Sequence, residues 1–398
     1  MHSTFQVWFD RITTALFSLT LAFSFCGLFL LPEGKTILAN MLVISIVFGA
    51  ANIFIGRKFN VGLIDRRILW VFFGYACFIM FNRLLHGDQY GVMRSLGYVV
   101  LFGLLIPRKM VIISASRYAI IAGGLCMGGL SIWQQLQGMT RVEGFTNAIL
   151  YSQASLTIAL LAWWICKETR VTRWERAVAI MSLLMALYSL FASQSRGVWL
   201  SFIVVVGVIL VLKAIKKPRK YLCVSLVLLG SGFVFYNQSS VLQERVQASI
   251  SDIQYAENGA YGTSWGLRMV AWQGAWEGFL TAPIFGVGTN GFDIVKKSLV
   301  VSGVSSPLLL DPQLAHSHSQ YMQNIFLRGA VGGIALLLFL GLPMWWAVKR
   351  WGGISVGFLL SLSFAINGLS DVPFEHQNVL FIYTFGLLFI WFQAQKTQ

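Results

Sequence analysis

Three arginines are predicted to lie near membrane level, and their side chains could bind a diphosphate. Arg141 follows one stretch, Arg196 lies in a brief polar turn between two others, and Arg268 lies on an amphipathic segment one turn before Trp272. A guanidinium stays charged and offers forked donors that match phosphate oxygens. Any one of the three could alternatively anchor the chain to lipid headgroups. Together they indicate an anion site near membrane level.

A polar segment at residues 311–323 holds the second candidate group. It contains His316 and His318, two of the five histidines of the chain, with Tyr321 close behind them. Neutral imidazole accepts a proton from a hydroxyl near neutral pH, which suits a transferase with a sugar alcohol as acceptor. A structural role and metal binding are the alternatives. We expect no metal, because no third ligand lies nearby in sequence.

Two further motifs are less specific. Residues 286–291 match G-x-G-x-x-G, but they follow a helical pattern rather than a strand, which excludes a dinucleotide-binding unit. Gly286 and Gly288 therefore belong either to an ordinary turn or to a turn whose backbone N–H groups bind phosphate. Asp371, which follows an apolar stretch, could orient a histidine, pair with an arginine or simply cap a helix.

The composition identifies the elements that must position these residues. The 398-residue chain is 57% hydrophobic and 11% charged, with a mean hydropathy of +0.70. Soluble proteins are about half apolar and a quarter charged, so the soluble class is excluded. Apolar runs of this length predict an all-α polytopic membrane protein with about twelve transmembrane helices. The predicted spans are 12–31, 37–56, 68–85, 92–106, 117–137, 149–166, 177–195, 198–213, 221–236, 324–348, 352–370 and 378–393.

The charge distribution orients this bundle. With twelve spans, twenty of the 30 Lys and Arg residues but only four of the 15 Asp and Glu residues fall on the side that carries both termini. The positive-inside rule makes that side cytoplasmic. The net charge of +15 therefore reflects topology, and nucleic acid is not an expected partner.

One long connection, residues 237–323, is predicted to face the opposite side between the first nine spans (1–236) and the last three (324–398). Hydrophobic spacing predicts an amphipathic helix over 241–257 and a second one from about Thr263. The second helix carries a stripe of Trp265, Met269, Trp272 and Trp276. We expect this stripe to lie in the membrane interface, with packing against the spans as the alternative.

Several of these motifs together resemble the O-antigen ligases of Gram-negative bacteria, a family that also includes O-antigen polymerases and protein O-oligosaccharyltransferases. The resemblance covers roughly residues 140–375, and its order and spacing agree with that family. The motifs that carry it are Arg141-x-x-Gly144-Phe145 with Asn147, Ser193-Gln194-Ser195-Arg196-Gly197, Ser264 to Arg268, Pro283 to Gly288, His316-Ser317-His318 and Gly368-Leu369-Ser370-Asp371.

The resemblance implies a GT-C-like bundle with a large periplasmic loop in the bacterial inner membrane. It implies transfer of O-polysaccharide from undecaprenyl diphosphate to a lipid A-core sugar, with inversion and without metal or cofactor. It points to His318 as the essential histidine, with Ser319 in place of the family's usual Asn. Arg196 and Arg268 then bind the diphosphate, Arg141 is a less certain third arginine, and membrane lipids surround the spans.

Two rival functions remain open. A polymerase of the same family would use the same lipid-linked donor and extend the glycan on its carrier, and only the Gly368 to Asp371 element favours the ligase. A transporter or flippase would also have twelve spans with cytoplasmic termini. It predicts charges near the bilayer midplane and two related halves, whereas the midspan charges of this sequence are few and its halves are not visibly alike.

Overall fold

The computed structural model describes residues 4–56, 66–107, 109–169 and 171–393. Fifteen α-helices and no β-strand are found in these four ranges, so the protein is all-α as predicted. Short 3-10 turns lie at Pro307–Leu310, Pro312–Leu314 and Pro373–Glu375. The helices are α1 Thr4–Cys26, α2 Gly34–Gly56, α3 Arg66–His86, α4 Tyr90–Leu105, α5 Met110–Leu136, α6 Ala148–Lys167, α7 Arg173–Ala192, α8 Arg196–Ala214, α9 Pro218–Gln238, α10 Ser240–Glu257, α11 Ser264–Thr281, α12 Gly288–Val301, α13 Gln320–Trp351, α14 Val356–Asn367 and α15 Gln377–Gln393.

Each predicted span coincides with one helix, namely α1 to α9 and α13 to α15. Among the described residues, eight helices are long and apolar enough to cross a membrane: α2, α3, α5 to α9 and α13. Helices α4, α14 and α15 are apolar but shorter. The multi-pass class is therefore confirmed, while the count of twelve stays a prediction. The charge-based orientation draws partly on 57–65, 108, 170 and 394–398, which lie outside the described residues.

Helix α15 lies at the centre of the bundle. It contacts α1 to α6 and α14, and its residues from Asn378 to Gln393 are buried. The helix is apolar on every side, which is the pattern of an element surrounded by protein. Its Trp391 and Phe389 rings contact Trp351 and Phe25, respectively, with centroids 4.8 and 5.8 Å apart.

Helices α10 to α12 occupy the long connection at one end of the bundle. Both predicted amphipathic helices are present, as α10 and α11, and α12 was not predicted. Leu267 and Val270 of α11 form a small core with Leu299, Leu309 and Leu314. The Trp stripe of α11 lies on the opposite face. Trp265, Met269 and Trp276 are exposed to the surroundings of the protein and Trp272 is half-buried, which favours the interface over packing on the spans; its place in the membrane interface stays a prediction.

A break in α13 joins this connection to the bundle. Gly329 has φ 62°, and a Cβ there would lie 2.3 Å from the Ile284 carbonyl oxygen. The Ala330 N–H donates to the Pro283 carbonyl at 2.8 Å, and the Val287 N–H donates to the Phe326 carbonyl at 3.0 Å. The segment 283–287 therefore docks along the broken turn, where only glycine fits.

The two glycines of the G-x-G-x-x-G match contribute to the same contact. A Cβ on Gly286 would lie 2.4 Å from the Arg328 backbone nitrogen, and one on Gly288 would lie 2.2 Å from the His86 carbonyl oxygen. The Gly286 N–H donates to the Ala282 carbonyl at 2.9 Å, so it points into the protein. This geometry gives both glycines a packing role, and phosphate binding by them stays a prediction.

A fully buried ion cluster, which the sequence analysis did not identify, holds three segments together. The Arg328 guanidinium donates to both carboxylate oxygens of Asp88 at 2.7 Å and to Glu375 Oε1 at 2.8 Å. Asn324 accepts a further bond from Arg328 at 3.0 Å. Buried charges are tolerated only when paired in this way. The cluster fixes the turn before α15 against the α3–α4 turn and the α13 break.

Replacing Arg328 with Met should destabilise the protein by about 3–5 kcal/mol, because Asp88 and Glu375 would then be buried without a counter-charge. The measurement is the thermal unfolding midpoint in detergent. Lys297→Met, at an exposed position of α12, is the matched control and should leave the midpoint unchanged. Equal midpoints for the two variants would show that the ion cluster contributes nothing to stability.

Candidate functional site

The candidate site lies at the end of the bundle that carries α10 to α12. Two groups of side chains meet there. We call Arg141, Arg196, Arg245 and Arg268 the arginine cluster, and His316, His318, Asp371 and His376 the histidine cluster. Their charges influence one another. The Arg268 charge helps to lower the pKa of His316 and of His318, and the Asp371 charge acts to raise the pKa of Arg268. The structure therefore brings the predicted arginines, histidines and Asp371 into one region.

Arg196 is the first residue of α8, directly after the predicted polar turn. Its guanidinium donates to Ser249 Oγ at 2.9 Å and to Asp252 Oδ2 at 3.2 Å, both on α10. A cation at a helix N-terminus is disfavoured by the helix dipole. The Asp252 carboxylate offsets part of that cost, and the two bonds hold α10 over the turn. Arg196 thus carries positive charge at the centre of the arginine cluster.

Arg141 and Arg245 hold the polar turn from two sides. Arg141 Nε donates to the Ser193 carbonyl at 2.9 Å, and Arg245 donates twice to Gln194 Oε1, at 3.0 and 2.6 Å. Gln194 has φ 53°, a left-handed conformation that an ordinary residue adopts only when its surroundings impose it. The sequence analysis missed Arg245. The available signal was its spacing of four and seven residues from Ser249 and Asp252, which places all three on one face of α10.

Arg268 is half-buried and weakly bonded. Its Nη1 donates to Ser264 Oγ at 3.3 Å, and its buried Nε has no hydrogen-bond partner among the described residues. Burial lowers the pKa of Arg268, and the charge of Arg196 lowers it further. Asp252 is the only carboxylate within salt-bridge distance of the arginine cluster in the described part of the chain. Four guanidiniums with one such partner make a site of net positive charge, as a diphosphate requires.

The two predicted histidines are in direct contact. The ring centroids of His316 and His318 are 4.2 Å apart, and the His318 backbone N–H donates to His316 Nδ1 at 3.2 Å. His318 has φ 46°, so the backbone holds this ring in a strained orientation. Such strain is common where a fold positions a functional side chain.

The ring of His318 has a defined tautomer. Its Nε2 lies 3.1 Å from the Gln313 carbonyl oxygen, and a carbonyl can only accept, so Nε2 carries the proton. The buried Nδ1 then has a lone pair and no hydrogen-bond partner among the described residues. Buried polar atoms without partners are rare and need an explanation. A lone pair held in this way is available to take a proton from a bound hydroxyl.

Burial keeps both imidazoles neutral. It lowers the pKa of His316 to about 3, an effect that the neighbouring His318 and His376 rings and the Arg268 charge reinforce. Burial also lowers the pKa of His318, although its bond to the Gln313 carbonyl opposes this. Near neutral pH, His318 is therefore a base with its lone pair free.

The pH profile of the activity should reflect this shift. Because the pKa of His318 in the folded protein lies below the ordinary value of 6.5, the imidazole is already neutral at pH 6.5 and loses its lone pair only at lower pH. We expect the acid limb of the rate profile below pH 6.5, measured as initial rates from about pH 5 to pH 8. An acid limb centred above pH 6.5 would contradict a buried neutral base.

Asp371 and His376 complete the histidine cluster. One ligand atom of each of His316, Asp371 and His376 lies within 4.8 Å of the others. The buried carboxylate of Asp371 accepts from Gln153 Nε2 at 2.8 Å. Two histidines and a carboxylate are a donor set that divalent metals use, so a third ligand lies near in space although none lies near in sequence. The expectation of no metal therefore remains to be tested by chelation.

Tyr321 and Ser319 have structural contacts. The Tyr321 hydroxyl donates to the Ala365 carbonyl at 2.7 Å, which ties α13 to α14, and substrate binding by Tyr321 stays a prediction. Ser319 caps the N-terminus of α13, and its hydroxyl donates to the Gly368 carbonyl at 3.3 Å. Ser319 thus fastens the His318 backbone to the start of the Asp371 turn.

Comparison with known proteins gives two similarities. Residues 180–337 match a family model described as O-Antigen ligase. These residues include Arg196, Arg245, Arg268, His316 and His318. The chain is also 23% identical over 360 residues to an uncharacterized protein of Haemophilus influenzae, covering 86% of this chain and 87% of that protein.

Proposed function

We propose, from the match of residues 180–337 to a family model described as O-Antigen ligase, that this protein transfers an O-polysaccharide from undecaprenyl diphosphate to a sugar hydroxyl of lipid A-core. The observation that carries the proposal is the juxtaposition of a net-positive arginine cluster with His318, whose buried Nδ1 has no partner among the described residues. The arginine cluster suits a leaving diphosphate, and His318 suits an attacking hydroxyl.

In the proposed reaction, the oxygen of the acceptor hydroxyl forms a bond to the anomeric carbon of the donor sugar. The bond from that carbon to the diphosphate oxygen breaks, and undecaprenyl diphosphate leaves with the bonding electron pair. His318 Nδ1 accepts the proton of the hydroxyl. Arg196 and Arg268 stabilise the negative charge that grows on the leaving oxygens. Because attack and departure occur on opposite faces of the carbon, the anomeric configuration inverts.

The proposal includes the location of the reaction. We propose that the protein lies in the bacterial inner membrane with both termini in the cytoplasm, and that the end that carries α10 to α12 faces the periplasm. Support comes from the charge distribution between the predicted connections. Cysteine-accessibility labelling of an exposed residue of α12, such as Ser298→Cys in a cysteine-free background, should succeed with a membrane-impermeant reagent added to spheroplasts.

The test of the activity uses purified protein in nanodiscs with undecaprenyl-diphosphate-linked O-antigen. We expect a lipopolysaccharide product of raised mass only when lipid A-core is added, and we expect the same yield in the presence of EDTA. Lengthening of the glycan on the lipid carrier without lipid A-core would identify a polymerase instead. Loss of activity in EDTA, restored by a divalent ion, would show that His316, Asp371 and His376 hold an essential metal.

A further inference from the structure

A polar cavity of about 300 Å³ adjoins the histidine cluster, and the reaction proposed above does not use it. Three segments form its wall: the α1–α2 turn and the start of α2 with Glu33 and Lys35, the start of α6 with the loop before it, and residues 375–378 at the start of α15. Its volume falls at the lower end of the range of ligand pockets in proteins. It is large enough for one or two sugar rings.

The lining has the chemistry of a carbohydrate site. Lys35, Thr146 and Gln377 offer charged, hydroxyl and amide groups that bind sugar hydroxyls. Phe145 contributes an aromatic side chain that is 44% exposed. A sugar ring has hydroxyls at its edge and an apolar C–H face, which an aromatic ring covers.

The walls of the cavity are rigid. The Gln134 side chain donates to the Gly144 carbonyl at 2.9 Å and accepts from the Gly144 N–H at 3.1 Å, which fixes the loop before Phe145. Asn147 caps α6 by accepting from the N–H groups of Ile149 and Leu150. In the α1–α2 turn, a Cβ on Gly34 would lie 2.3 Å from the Leu28 carbonyl oxygen. A preformed pocket loses little entropy when a ligand binds.

The position of the cavity relates it to one substrate. His376 lines the cavity and also faces His316, with ring centroids 6.4 Å apart. None of the four arginines is among the described residues of the wall. In an inverting transfer the acceptor approaches the anomeric carbon opposite the leaving diphosphate. Because the cavity contacts the histidine cluster but none of the four arginines, it suits the acceptor side of the reaction, and the arginine cluster suits the donor side.

We propose that this cavity binds a sugar ring of the acceptor saccharide, with Phe145 against its apolar face and Lys35 donating to its hydroxyls or anionic substituents. This inference rests on the proposed ligase function and names the part of the protein that recognises the acceptor. Arg141 and Phe145 lie on the same loop, so one loop contacts both the donor side and the acceptor side. The cavity then determines which acceptor the enzyme accepts.

The first test measures kinetics with full-length protein in nanodiscs. Phe145→Ala and Lys35→Gln should each raise the KM for lipid A-core by about tenfold and leave the KM for the lipid-linked donor unchanged. Phe285→Ala removes an exposed aromatic ring at the same end of the bundle but outside the cavity wall, and should change neither KM. If Phe145→Ala leaves the acceptor KM unchanged or raises the donor KM instead, the inference is wrong while the ligase function stands.

The second test is independent of transfer. Saturation-transfer NMR with lipid-free core oligosaccharide, in the absence of donor, should show binding to the natural protein and its loss in Phe145→Ala. If the natural protein does not use lipid A-core as acceptor, the proposed ligase function is wrong. The proposal that the cavity binds a sugar ring is then tested by this binding measurement alone, and absence of binding to the natural protein would contradict it.

Discussion

Arg196→Ala and Arg268→Ala should each lower the rate of glycan transfer by at least about a hundredfold. In the proposed reaction these two guanidiniums meet the charge that develops on the departing diphosphate. Removing one preorganised donor to such a charge costs about two to three orders of magnitude in rate in well-studied enzymes. Arg268 makes one hydrogen bond, to Ser264, and its buried Nε has no partner among the described residues, so its charge is available to a ligand.

Two matched variants separate this role from a structural one. Asp252→Asn removes the ion pair that holds Arg196 to α10 but keeps the guanidinium, so it should cost far less than Arg196→Ala. Lys297→Ala, at an exposed position of α12, should have no effect. The readout is the initial rate of product formation at equal protein abundance. A loss in Asp252→Asn as large as that in Arg196→Ala would mean that Arg196 only fastens α10.

Replacing His318 with Asn should lower kcat by about a hundredfold to ten-thousandfold, with a smaller change in the KM for lipid A-core. In the proposed reaction the ring supplies the lone pair that accepts the proton of the hydroxyl, and Nδ1 has no hydrogen-bond partner among the described residues that competes for it. Asn is the substitution of choice because it tolerates the left-handed backbone at this position, so the turn before α13 should be preserved.

The control for this variant is another histidine. His86 Nε2 lies 3.1 Å from the Phe285 carbonyl oxygen, and its ring makes no contact with those of the histidine cluster among the described residues, so His86→Asn should retain most of the activity. Added imidazole should restore part of the rate of a His318→Gly variant, since it can occupy the vacated space and accept the proton. Full activity in His318→Asn would remove this residue from the mechanism.

The sequence was sufficient to predict the helices of the bundle, because transmembrane helices are read from long apolar runs. The sequence also indicated most residues of the candidate site, since a charged or polar side chain at membrane level is energetically costly and is usually kept for a function. Arg196, Arg268, His318 and Asp371 come from segments up to 175 residues apart, and the fold brings them to one end.

The remaining features depend on contacts that no local pattern encodes. The central position of α15 follows from packing on all its sides, and an evenly apolar helix does not reveal its neighbours. The Asp88–Arg328–Glu375 cluster joins residues that are far apart in sequence. An arginine inside a predicted span was the signal for that cluster. The cavity beside His376 is formed by three separate segments, so only the structure reveals it.

The central claim is that the arginine cluster binds the diphosphate of a lipid-linked glycan beside His318. An experimental structure of the protein in nanodiscs with undecaprenyl diphosphate tests this most directly. We expect phosphate oxygens within hydrogen-bond distance of both Arg196 and Arg268, at the end of the bundle that carries His318. A diphosphate bound at another surface, with no contact to these two arginines, would show that the arginine cluster is not the diphosphate site.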